Sequence, residues 1–248
     1  MNAETHPSNP PIFNLPTPIV AIVVVMIIVH ALRVWLLSAD ADLWVVNVFA
    51  FVPYFYVVDP ERLLEPLALY WTPISHGFLH ADWTHLLINL IWMAAFGSAV
   101  ARRFGAIRFF VFFILATAAG ALAHYIFHVG SNSPVVGASG AVSACMGAAV
   151  RFAFVPGMAV AEAVKAPAQS LLQSLTNRSI MTFVVIWFLL NWLLGSGVIN
   201  IGVDAQIAWE AHMGGFIFGW LAFGLFDRHR ANTIAADHPS DSDSERLL

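Results

Sequence analysis

The sequence predicts an all-α membrane protein with six spanning helices, and three observations carry that prediction. Of the 248 residues, 59% are hydrophobic and 10% charged, against about 45–50% apolar and about 25% charged in soluble domains. Six apolar stretches reach or approach the roughly 20 residues that a helix needs to cross a bilayer. Counted over those six stretches, nine of the eleven Lys and Arg residues fall on one side of the membrane, an asymmetry that a five- or seven-span chain would not give.

The stretches are Thr17–Leu37, Thr84–Val100, Ala106–His128, Val136–Val155, Ser179–Leu194 and Ile207–Phe226. The first resembles a secretory signal, with Ala39-Asp40-Ala41 as an apparent cleavage site. No basic residue precedes it, however, and it exceeds the about 7–15 residues of a signal core, so it is read as a retained span. Between the first and second spans, Ser38 to Trp83 is apolar in patches but broken by Pro53, Pro60, Pro66 and Pro73. That punctuation predicts a long structured loop lying partly in the membrane interface. The third and fourth spans are joined by a Gly/Ser/Asn/Pro turn, Gly130 to Pro134. The fifth gains full length by extending to about Gly197. The organisation expected is a short cytoplasmic tail over 1–16, a six-helix domain over 17–226 and a disordered acidic tail over 227–248.

Net charge is −4, so no basic field points to nucleic acid. The single cysteine, Cys145, forms no intrachain disulfide and is read as a small packed residue. Arg102, Arg103, Arg108, Arg151, Lys165, Arg178, Arg228, Arg230 and Arg246 define the inner side. Both termini are therefore expected inside, in a bacterial cytoplasmic membrane. Arg33, near the outer end of the first span, is expected to snorkel to the interface.

Polar residues inside spans are costly and mark function by default. Three clusters qualify: His76-x3-His80-x4-His85-x3-Asn89, Gly137-Ala138-Ser139-Gly140, and Glu210-Ala211-His212 running on to Gly219. All lie at the outer ends of spans two, four and six, within roughly 10 Å of depth. His85 and Asn89 share a helix face. A serine becomes a nucleophile when a base stands within hydrogen-bond reach, and His212 can supply it. Amide hydrolysis then needs donors for the oxyanion. The N–H groups at the start of the fourth span, the Asn89 amide and the His85 ring offer them. Glu210 falls on a different face from His212, so the expectation is a Ser–His dyad opening to the outer side. Small-x3-small stripes, including Gly140-x3-Ala144, Ala211-x3-Gly215 and Gly215-x3-Gly219, allow spans four and six to approach closely.

These motifs resemble the rhomboid family of intramembrane serine proteases. The family's Gly-x-Ser-Gly is matched by Gly137 to Gly140, its Ala-His-x-x-Gly-x-x-x-Gly by Ala211 to Gly219, and its His-x-x-x-Asn by His85 and Asn89. The likeness covers about Thr17 to Phe226 and implies a six-helix rhomboid bundle. It implies Ser139 as nucleophile and His212 as base, with Asn89, His85 and the Ser139 N–H as oxyanion hole. Gly137, Gly140, Gly215 and Gly219 would support that geometry. Substrates would be transmembrane proteins, entering beside the fifth helix and cut without metal or cofactor. One departure is Trp71-Thr72, where the family carries Trp-Arg.

Blander readings exist for each residue. Serine in a Gly/Ala-rich helix is ordinarily a packing residue, and His85 and Asn89 would serve as interhelical bonds. His76 and His80 are expected to bond loop backbone or face water. His30, His124 and His128 match no motif and are read as packing or interface residues. Trp71, Trp83 and Trp209 are read as interfacial anchors. A non-catalytic rhomboid-like binding factor is the alternative function. Against a metalloprotease, the sequence lacks His-Glu-x-x-His, and a transporter would carry midplane charges or repeats.

Overall fold

The computed structural model describes residues 14–154, 157–158, 160–196 and 208–228. Among these the chain is helical and forms no strand; a lone antiparallel bridge joins Phe51 and Val135. The main helices are α1 (Thr17–Leu36), α2 (Trp83–Phe104), α3 (Ala106–Phe127), α4 (Ser139–Ala149), α5 (Arg178–Gly195) and α6 (Trp209–Phe226). Four of them, α1, α2, α3 and α5, are long and apolar enough to cross a membrane. α2 contains one π-helical turn, Met93–Gly97.

The fourth segment departs from the expected Val136–Val155. Its helix spans Ser139–Ala149, about 16 Å at 1.5 Å per residue, roughly half the hydrocarbon thickness. It tolerates that length because other helices surround it: every residue from Gly140 to Ala149 is buried. Beyond it the chain turns aside, and Arg151 donates to the carbonyls of Gln169 (2.8 Å) and Trp220 (2.9 Å). The outer-side start of the expected sixth span, Ile207, lies outside the described residues, as do 1–13 and 229–248 of the two tails.

α4 packs on α6 backbone to backbone. A Cβ added at Gly219 would lie 1.9 Å from the Ala144 carbonyl oxygen, and one at Gly215 would lie 2.0 Å from that of Gly140. A Cβ at Gly147 would meet the Phe216 carbonyl at 2.1 Å. Gly140 itself differs, because its added Cβ meets the Ala211 carbonyl at an ordinary 3.5 Å. Gly219→Ala is therefore expected to cost at least the about 1–3 kcal/mol of an overpacked core, lowering Tm by several degrees in a detergent melt. Gly140→Ala is expected to leave Tm nearly unchanged.

The end of α2 far from His85 is closed by charge. Arg103, 1% exposed, makes a two-pronged ion pair with Asp227 at 3.0 and 2.9 Å. It also donates to the carbonyls of Val164 (3.1 Å) and Ala166 (2.8 Å). The ordered fold thus continues past Phe226, with Asp227 as a buried partner.

The long first loop is structured. It contains a helix, Ala39–Phe49, followed by the short turns Pro53–Tyr56, Pro60–Arg62, Pro66–Tyr70, Thr72–Ser75 and His76–Phe78. Arg33 does not snorkel. It pairs with Asp42 (2.7 Å) and donates to the His80 carbonyl (2.9 Å), fastening α1 to both ends of the loop. At the family's arginine position, the Thr72 hydroxyl lies 2.7 Å from the Tyr56 hydroxyl. Trp71, expected as an interfacial anchor, donates its indole N–H to the Val48 carbonyl at 2.9 Å and so braces the loop.

Candidate active site

The turn preceding α4 presents Ser139. Gly137 adopts φ +115°, a conformation that only glycine takes readily, and its N–H donates to the His76 carbonyl at 2.9 Å. His76 in turn holds the Thr72 carbonyl through Nδ1 at 2.9 Å. Burial pushes its pKa down to about 4, so it stays neutral. The first loop therefore fixes the backbone just ahead of the serine, and His76 bonds loop backbone as expected. His80 does not face water: it is fully buried, with neither ring nitrogen hydrogen-bonded.

The absence of a side chain at 137 admits His85. A Cβ there would lie 2.7 Å from His85 Nε2 and 3.8 Å from Ser139 Oγ, so ring and hydroxyl flank the same gap. Asp82 caps the start of α2, accepting from the His85 N–H at 2.8 Å, which fixes where the imidazole leaves the helix. Asn89 is buried one turn deeper. Its Nδ2 donates to the His85 carbonyl at 2.9 Å, leaving a second hydrogen on that nitrogen. Ser143, one turn below Ser139, donates back to the Ser139 carbonyl at 2.7 Å.

His212 stands in the first turns of α6. The neighbours of serine and histidine touch: Gly140 faces the Ala211 carbonyl, and Gly120 of α3 wedges against both. Among the described residues no hydrogen bond joins Ser139 to His212; backbone contact between their helices sets their proximity. Catalytic hydrogen bonds commonly tighten only around bound substrate.

The sequence analysis missed Asn191. His212 Nδ1 lies 2.6 Å from Asn191 Oδ1, and Asn191 Nδ2 donates to the Trp187 carbonyl at 2.8 Å. The second bond fixes which way the amide points, so its oxygen faces the imidazole. Nδ1 must then carry the hydrogen, and Nε2 is left with the lone pair. A base oriented by a third group is the logic of catalytic triads, with asparagine in that role in papain-like enzymes. The signal was available in the sequence, since Asn191 is the one strongly polar side chain in the apolar run Ser179–Leu194. Asn191→Ala is expected to lower kcat about 10²-fold, the scale of a mispositioned catalytic group, with KM little changed. An unchanged kcat would remove Asn191 from the site.

Glu210 faces away from His212, as expected. It meets His128 Nε2 at 3.0 Å and His124 Nδ1 at 3.6 Å.

The rhomboid domain family model matches residues 68–228, more than half of the chain and all of the residues just described. The chain belongs to the rhomboid family. Among proteins similar to it are rhomboid protease GluP of Bacillus subtilis, 28% identical over 162 residues, and rhomboid protease GlpG of Yersinia pestis, 28% identical over 166 residues. The alignments cover 65% and 66% of this chain, but only 27% and 51% of those relatives' own length. Rhomboid membership and the apolar helices make this an integral membrane protein of all-α architecture. In this bundle the glycines at 137, 215 and 219 stand where backbone or ring occupies the space of a side chain.

Proposed function

We propose that the chain is an intramembrane serine protease that cuts transmembrane proteins within or near their spans, with six spans and both termini in the cytoplasm. The observation that carries this reading is the juxtaposition at Gly140 and Ala211. It sets Ser139 and His212 on touching helices, with His212 held in the tautomer that leaves Nε2 as a base. Ser139 Oγ attacks the scissile carbonyl, and its proton passes to His212 Nε2. The Ser139 N–H, Asn89 and His85 face the oxyanion. As the C–N bond breaks, His212 protonates the leaving amine. Water then attacks the acyl-enzyme, His212 takes its proton, and Ser139 is regenerated.

A substrate helix must unwind locally, because its carbonyls are otherwise hydrogen-bonded within the helix. An apolar groove of about 440 Å³ between α5 and α6, lined by Val184, Phe188, Leu189, Trp192, Trp209 and Met213, is suited to receiving it beside His212. The loop leaves Leu43, Leu64, Leu67 and Tyr70 exposed, consistent with an interfacial position at the outer leaflet of a cytoplasmic membrane.

Labelling by a fluorescent fluorophosphonate tests the proposal. The wild type is expected to label, and Ser139→Ala and His212→Ala are not. Labelling that persists in Ser139→Ala would overturn the assignment. A folded wild type that neither labels nor cuts a reporter transmembrane substrate would point instead to a non-catalytic rhomboid that binds membrane proteins.

A further inference from the structure

At the outer end of the bundle, beside the catalytic residues but separate from them, three side chains converge that acyl transfer does not use. His124 and His128 lie one turn apart at the C-terminal end of α3, their rings stacked at 4.3 Å. Glu210 reaches them from the first turn of α6. One donor atom from each of the three lies within 4.8 Å of the other two. We propose that His124, His128 and Glu210 form a binding site for a divalent transition-metal ion of the zinc class, which ties the end of α3 to the start of α6.

The chemistry of the donors supports this. Two imidazoles and one carboxylate form a ligand set that zinc enzymes use, with remaining positions filled by water. Metal–ligand bonds of about 2.0–2.2 Å place tetrahedral donors about 3.3 Å apart. Glu210 Oε1 lies 3.0 Å from His128 Nε2 and its Oε2 lies 3.6 Å from His124 Nδ1, so each ring has a carboxylate oxygen near the spacing of two donors on one ion.

Burial supplies a second, independent observation. His124 is 7% exposed, and neither of its ring nitrogens makes a hydrogen bond. An unsatisfied buried polar group is costly and rare, and a metal bond to Nδ1 would satisfy it. Glu210 is equally buried at 7%, and the ion-pair partners of its carboxylate among the described residues are these two imidazoles. His128 is the opening: its side chain is 39% exposed, giving the ion a route from the outer aqueous phase and room for coordinating water. A hard cation such as Mg²⁺ prefers oxygen ligands and would not be held by this set.

The test is direct binding to the purified full-length protein in detergent after treatment with a chelator. Co²⁺ is expected to bind saturably at one ion per chain with the visible bands of a low-coordinate N/O site. Zn²⁺ is expected to displace it and Mg²⁺ is not. Zn²⁺ is also expected to raise Tm, because an ion that binds only the folded state stabilises it. His128→Gln, at the partly exposed ligand, and Glu210→Gln are each expected to weaken binding beyond the about 10–100-fold that loss of an outer-shell partner costs, and to abolish the Tm rise. Metal-free melts of both variants report whether they fold.

Absence of saturable Co²⁺ binding by the wild type would overturn the proposal and leave the cluster a histidine–carboxylate contact. Binding that survives unchanged in both folded variants would overturn it equally, placing the ion at other histidines. The readouts do not involve proteolysis, so the result stands apart from the assignment of Ser139.

Discussion

Ser139→Ala and His212→Ala are each expected to reduce cleavage of a reporter transmembrane substrate by about 10⁴-fold or more, leaving only what substrate binding and the oxyanion donors supply. On the proposed mechanism the two residues act as a unit, so either substitution alone removes nearly all that the pair supplies, and the double variant falls no further. The fold should be untouched. Ser139 is a partly exposed residue at the first position of α4. Among the described residues the side-chain hydrogen bond of His212 is the one to Asn191. Detergent melts within a degree or two of wild type, alongside lost cleavage by gel assay, would separate chemistry from stability. Retained cleavage in purified Ser139→Ala would place the nucleophile elsewhere.

The second large effect concerns the opposite end of the molecule. Asp227→Ala is expected to destabilise the protein by about 3–5 kcal/mol, because it strands Arg103 as a buried, uncompensated cation. Arg103 is enclosed by the rings of Phe152 and Phe223, at 4.8 and 5.2 Å from their centroids, and has no route to water. Arg103→Met in the Asp227→Ala background should recover much of the loss, since removing both charges leaves a volume that an apolar side chain fills. A double variant as unstable as the single one would show that the lost carbonyl contacts to Val164 and Ala166 matter more than the charge. The readout is Tm and the fraction surviving extraction.

Much of this was legible in sequence, for a physical reason. Apolar runs long enough to span a bilayer announce themselves, and α1, α2, α3 and α5 lie within a few residues of their expected bounds. Serine and histidine carry recognisable chemistry, and Gly215 and Gly219 have the spacing of touching helices. The length of α4 was not legible, because an apolar run looks the same whether lipid or protein surrounds it. Arg103 was read as a marker of the inner side and Arg33 as a residue reaching to the interface, but their partners, Asp227 and Asp42, are 124 and nine positions away. Composition does not reveal such pairings. Asn191 escaped because it matches no motif and is joined to His212 only by folding. Glu210, His124 and His128 converge for the same reason.

The π-helical turn at Met93–Gly97 has a consequence for how α2 tolerates change in length. A π turn accommodates one residue more than an α turn, and each residue rotates a helix by about 100°. Deleting one residue there would heal the turn into regular helix, with apolarity and spanning length nearly intact. The two halves would keep their phase, because the turn is what holds the extra residue. His85 and Asn89 on one side, and Arg103 on the other, would still face the bundle together. A deletion in the regular parts of α2 has no such slack and would rotate one half by about 100° against the other. His85, Asn89 and the Arg103–Asp227 pair are thus bound by a common helical register, which a one-residue deletion outside Met93–Gly97 would break.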